Sequence, residues 1–173
     1  MSAQDLKLMN EFRGRAQPLI VQMTGILEEV EGQLPSAARL TEFARIIDLI
    51  HQTSRTLGQG ADNLMHPIHR IGDYALICRA VAQQTAEITE NQTLFDTAVA
   101  LLMDATEVLN ELVEMKGEGK EDPVRKFLNQ KLVERLQWLN YQFRGMIPKS
   151  KIPEDKKLNQ GDIDDLLKKL GVA

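Results

Sequence analysis

Aromatic residues make up only 5% of this 173-residue chain, which has one cysteine, one tryptophan and three histidines. Little stacking surface, with 21 Lys+Arg against 25 Asp+Glu for a net charge of -4, leaves neither base platforms nor a basic field for nucleic acid. Cys78 has no cysteine partner for an internal disulfide, and no apolar run of signal-peptide type opens the chain, so a reducing cytoplasm is expected. No unbroken apolar segment approaches the length of a membrane span, so no membrane insertion is expected. Glycine-rich phosphate loops, a serine-histidine-acid order and cysteine-based zinc spacing are missing, so no cofactor or metal of its own is expected. Strand-type alternation is not sustained anywhere, and no repeat of fixed period is visible.

What the sequence does contain is helical periodicity, with apolar residues three and four apart through most of its length and a 43% hydrophobic content sufficient for a core. The pattern predicts a helix over 3–33, bent or divided at Pro18, with Leu19, Met23, Ile26, Leu27 and Val30 on one stripe. Ser36 is an N-cap candidate for a second helix over 37–57, in which Leu40, Phe43, Ile47, Ile50 and Leu57 face inward. Ser54 supplies the small position where a neighbour can approach, and Gly58 and Gly60 end the helix. A third helix is predicted over 62–87, with Pro67 in its first turn or at a kink. A fourth, the most apolar, covers 93–115, and a fifth opens at Asp122-Pro123 and closes at Gly145. "PKSKIPEDKK", from Pro148 to Lys157, has the composition of a linker. The expected organisation is an all-α, antiparallel four- to five-helix bundle over 1–146, a flexible linker over 147–157 and a short amphipathic helix over 158–173.

In that last segment, "LNQGDIDDLLKKLGVA", Ile163, Leu166, Leu167 and Leu170 fall at i, i+3, i+4 and i+7 and make one aliphatic face. Asp162, Asp164 and Asp165 crowd the first turn and Lys168 and Lys169 the last, so every charge favours the helix dipole. About ten residues are too few for a stable isolated helix in water. The segment must therefore dock, either on its own core or on a partner, and the long polar spacer favours a partner. "NQGDIDDLLKKLG" resembles the C-terminal response-regulator-binding peptide of the chemotaxis phosphatase CheZ and is similar to the receiver-binding peptide of the flagellar switch protein FliM. The resemblance covers about 14 residues. It implies a CheY-like receiver as partner, with Ile163, Leu166, Leu167 and Leu170 as anchors and Asp162, Asp164 and Asp165 near basic groups.

A phosphatase acting on a receiver needs an amide to orient water in line with phosphorus and a carboxylate to hold the receiver's lysine. On a helix these must stand at i and i+4 to share a face. Asp48 and Gln52 in "IIDLIHQTSR" have that spacing, and the Asp-Leu-x-x-Gln order resembles the motif around the CheZ catalytic pair. The resemblance implies catalysis by Asp48 and Gln52, with Arg45, His51 and Arg55 as neighbours of the phosphate site and Mg2+ carried by the phosphorylated receiver. The other reading is a solvated helix face, since acid-to-amide pairs also occur at Glu29 with Gln33 and Glu87 with Asn91.

"FARIIDLIHQTSRTLG" also resembles the phosphorelay helix of histidine phosphotransfer domains. Counting back from Gly58 places Asp48 at the phosphohistidine position, His51 where a lysine belongs and Gln52 where a glycine belongs. A carboxylate cannot replace the imidazole nucleophile, so this resemblance implies a degenerate, non-catalytic adaptor that sequesters or localises the receiver. Whether the protein forms a homodimer is left open. His66, His69 and Asp73 could cluster but make a poor zinc pattern. Cys78 is expected to be a buried small residue, and Trp138 and Tyr141 are expected in the core.

Overall fold

The computed structural model describes residues 3–61, 66–115 and 130–146, together with Asp165 and Lys168. Among them every regular element is helical. Five α-helices occur: α1 (Ala3–Val30), α2 (Leu40–Gly58), α3 (Pro67–Ala86), α4 (Gln92–Glu114) and α5 (Gln130–Met146), with a 3-10 helix over Leu34–Arg39 between α1 and α2. No helix among the described residues is long and apolar enough to cross a membrane.

The contacts give the order of packing. Gln4 reaches Gly60 and Arg39 reaches Glu29, so α1 and α2 run antiparallel. Asp48 meets Arg79 and His51 meets Gly72, which sets α2 antiparallel to α3. Arg13 reaches the end of α4, closing the set between α1 and α4. One core runs through all of them: Phe12, Met23 and Leu27 from α1, Phe43, Ile47 and Ile50 from α2, Ile71, Tyr74 and Ile77 from α3, and Phe95, Leu102 and Leu109 from α4 are buried. Each such side chain contributes about 1.5–3 kcal/mol of transfer free energy. The helix α5 adds Leu136, Leu139 and Phe143 to this core and pairs Arg135 with Asp104 of α4 at 3.1 Å.

The helices depart from the sequence pattern at several points and follow it at others. Of the two outcomes expected at Pro18, a bend or a division, the division does not occur: α1 is one helix over Ala3–Val30. The proline has no N–H to donate to the Gly14 carbonyl, but both residues lie on the exposed side, while Ala16, Ile20 and Met23 anchor the helix before and after Pro18. The end of α1 comes at Val30 rather than residue 33, because Gly32 adopts φ +69, a left-handed conformation that only glycine takes without strain. Ser36 is not an N-cap. It lies inside the 3-10 helix, its amide donating to the Gln33 carbonyl at 2.8 Å, and α2 follows without a side-chain cap. Pro67 does lie in the first turn of its helix, as expected: it is the first residue of α3, with His66 the N-cap. Gly145 falls within α5.

Trp138 and Tyr141 are not core residues, being 49% and 69% exposed. The buried line of α5 is Leu136, Leu139 and Phe143, and the two aromatics sit off it. Cys78 is buried as expected, beside Tyr74, whose hydroxyl donates to the Ala105 carbonyl at 3.0 Å. Asp122 and Pro123, the linker over 147–157 and, of the receiver-binding candidates, Asp162, Ile163, Asp164, Leu166, Leu167 and Leu170 lie outside the described residues. Asp165 and Lys168 are helical and exposed.

Candidate functional site

The strip predicted on the second helix sits on α2, whose inward line of Phe43, Ile47 and Ile50 is fully buried. That burial fixes the rotation of the helix and leaves Asp48 half-buried, with Arg45, Leu49, Gln52 and Arg55 exposed. Gln52 Nε2 donates to Asp48 Oδ2 at 2.9 Å. Because a carboxylate only accepts, this contact fixes the amide: nitrogen faces Asp48 and the carbonyl oxygen Oε1 is left outward. An outward amide oxygen can accept a hydrogen bond from water and so aim the water's lone pair, which is the demand on a water-positioning glutamine.

The other Asp48 oxygen, Oδ1, pairs with Nη1 of Arg79 on α3. Sequence reasoning does not single out Arg79. It stands in "ICRAV", among residues that are buried, and a charged residue in such a run needs a partner across the helix interface; that is the signal that could have found it. Leu49 is missed as well. At 40% exposure it is the large apolar side chain that α2 leaves to solvent, one residue from Asp48.

His51 does not share the open face of the strip. It turns toward α3, where its Nδ1 lies 3.1 Å from the Gly72 carbonyl, so Nδ1 carries the proton that it donates there. Burial pushes its pKa below the usual 6.5, the Gly72 carbonyl opposes this, Arg79 adds to it, and Asp48 opposes it. Gly72 permits the approach: a Cβ there would stand 2.0 Å from Ser54 Oγ. The small position predicted at Ser54 is therefore one where α3 comes close.

On the other side of Asp48 an open groove of about 950 Å³ runs between the 3-10 helix, α2 and α3. Arg45, Asp48, Arg79 and Gln83 line it with Arg39, which is held by Glu29 at 2.8 Å and Glu42 at 2.7 Å. Gln52 stands outside the groove, so the pair divides, with Asp48 facing it and Gln52 facing open solvent.

The competing acid-amide pairs do not survive. Gln33 lies beyond the end of α1. Asn91 is the N-cap of α4, accepting from the Leu94 amide at 2.9 Å, while Glu87 follows α3. A pair of reversed order does occur on α4, with Gln92 donating to Asp96 at 2.7 Å, so the arrangement is not peculiar to α2. Among the described residues no three His, Cys, Asp or Glu side chains converge as a metal site. His66 is committed to capping α3, and the ring of His69 packs against Gly58.

No family model matches the chain, and neither curated proteins nor solved structures show a match to it.

Proposed function

We propose that this is a two-component signalling protein of the chemotaxis type that binds a CheY-like receiver through residues 158–173 and accelerates hydrolysis of the receiver's aspartyl phosphate at the α2 strip. The tail anchors Ile163, Leu166, Leu167 and Leu170 seat on the receiver, and Asp162, Asp164 and Asp165 meet its basic groups. Tethering makes the second, weaker contact at the strip effectively intramolecular. Gln52 orients water through its outward carbonyl oxygen, Asp48 meets the receiver's lysine, and Arg45 and Arg55 lie near the phosphate. The metal, Mg2+, arrives with the receiver. The observation that carries this reading is the bond from Gln52 Nε2 to Asp48, which leaves Oε1 of this exposed side chain free to accept, on a helix held by its buried face.

A second reading has its own support. Both oxygens of Asp48 are engaged, one by Arg79, so the carboxylate's charge is already neutralised and its attraction for a lysine is reduced. On that ground the protein would be an adaptor, a degenerate phosphotransfer-like bundle that localises the receiver without touching its phosphate.

The deciding experiment is the decay of a phosphorylated CheY-like receiver with Mg2+, measured with the full chain and with Gln52→Ala. Acceleration that the variant loses by about 100-fold or more supports catalysis by a water-orienting amide. Unchanged decay with demonstrable binding through residues 158–173 leaves the adaptor.

A further inference from the structure

At the opposite end of α2 from the groove, α1, α2 and α3 meet around His66. Its imidazole is buried, with the side chain 3% exposed, and it occupies the N-cap position of α3. Nδ1 accepts a hydrogen bond from the Ile68 amide at 3.3 Å. An acceptor at Nδ1 requires the neutral ring with its proton on Nε2. Nε2 is itself sealed from solvent and makes no hydrogen bond of ordinary geometry; it faces Asp5 on α1, whose Oδ1 is 3.6 Å away and whose backbone carbonyl also acts on the ring. The same first turn of α1 holds the chain after α2, Gln4 Nε2 donating to the Gly60 carbonyl at 3.1 Å.

We propose that His66 is a proton-operated cap: as the neutral ring it closes the start of α3, and on protonation it releases the Ile68 amide and turns toward Asp5. Serine, threonine, aspartate and asparagine cap helices at any ordinary pH, whereas an imidazole acceptor is lost when a second proton arrives. The imidazolium would then sit at the positive end of the helix dipole, which opposes it. Around the ring, the charged or titratable groups that act on it among the described residues are Asp5 from α1 and His69 from α3 itself; α2 brings its uncharged end at Gly58.

The direction of the pH response follows. Burial lowers the His66 pKa below 6.5, Asp5 works against that shift through its carboxylate and its backbone carbonyl, and His69 adds to it. Between the lowered folded value and 6.5 the unfolded chain binds more protons, so the cap's stability is complete above that window and is lost as pH falls through it. The consequence is local: the first turn of α3 loosens on acidification while the core does not.

Hydrogen exchange at the Ile68 amide of the full chain, corrected for intrinsic rates, tests this at pH about 7.5 and about 5.5, where protection should fall about fivefold on acidification. His66→Asn keeps a capping acceptor without a titrating ring, and its Ile68 protection should be the same at both values. An equal fall in His66→Asn, or none in the native chain, overturns the proposal. Imidazole nitrogen shifts of the native chain give an independent reading: Nδ1 must be unprotonated at the higher pH and take up its proton only below the ordinary imidazole value of about 6.5, and a proton on Nδ1 at the higher pH also overturns the proposal.

Discussion

Arg79 and Asp48 form an ion pair between α3 and α2, while the second oxygen of the same carboxylate takes the Gln52 amide at 2.9 Å. The guanidinium is the more buried partner, its side chain 22% exposed against 33% for Asp48. Burial is therefore unequal, and so are the consequences of breaking the pair. Asp48→Ala strands a largely enclosed cation and should lower stability by about 2 kcal/mol, whereas Arg79→Met leaves a more exposed carboxylate still bonded to Gln52 and should cost about 1 kcal/mol. Urea unfolding of both single variants and the double variant measures the coupling, and a value near zero would mean that water separates the two groups.

Cys78 offers a simple check on the core. Burial pushes its thiol up to about 12, and Tyr74 packs beside it beneath the hydroxyl that donates to Ala105. At pH about 8 a group with that pKa is thiolate only on the order of one part in 10⁴. A thiol reagent should react negligibly with the native protein and completely once denaturant unfolds it. Stoichiometric labelling of the native chain within minutes would show that the interface of α3 with α4 opens readily.

How far the site can be read from sequence depends on how far apart its parts lie. Asp48 and Gln52 are one turn apart on a helix with a clear buried stripe, so helical periodicity alone places both at the edge of its polar side. Arg79 lies 31 residues from Asp48, and no periodic signal connects them. The helical wheel also puts His51 on the polar side, yet Ser54 and Gly58 on α2 and Gly72 on α3 allow so close a crossing that the buried arc widens to cover it. The same reasoning fails for Trp138 and Tyr141, where aromatic character suggests burial although Leu136, Leu139 and Phe143 form the inward line. Pro18 reads as a bend or a division because propensity is local, while the core contacts that keep α1 in one piece on both sides of it are not.

The half-buried His51 makes a second contribution to pH dependence, distinct from the cap on α3. Its folded pKa lies below 6.5, chiefly through burial, so acidification charges the unfolded chain first. Stability should be constant above about 6.5 and fall as pH drops below it, with a slope of at most about 1.4 kcal/mol per pH unit for one such group. A His51→Gln variant retains a side-chain donor for the Gly72 carbonyl without a titrating ring. Denaturation midpoints between pH about 5 and 8 should therefore show a flatter acid limb for His51→Gln than for the native chain. An unchanged limb would place the proton uptake elsewhere.

The close approach of α3 to α2 at Gly72 gives the sharpest structural prediction. A Cβ on Gly72 would stand 2.0 Å from Ser54 Oγ, 3.2 Å from Ser54 Cβ and 3.5 Å from His51 Nδ1, so Gly72→Ala must push α3 from α2 or force Ser54 from its rotamer. Overpacking of this kind costs about 1–3 kcal/mol. Removing the obstacle is the control. Ser54→Gly alone should cost up to about 1 kcal/mol, because it loosens a helix interior and vacates a packed position. In the double variant the new methyl group fills the space that Ser54 leaves, so the two losses should be less than additive. Ser54→Ala should rescue less, since the contact with its Cβ persists. If Ser54→Gly restores nothing to Gly72→Ala, the separation of α2 and α3 is set by their backbones rather than by the serine, and the tight crossing that turns His51 inward has another origin.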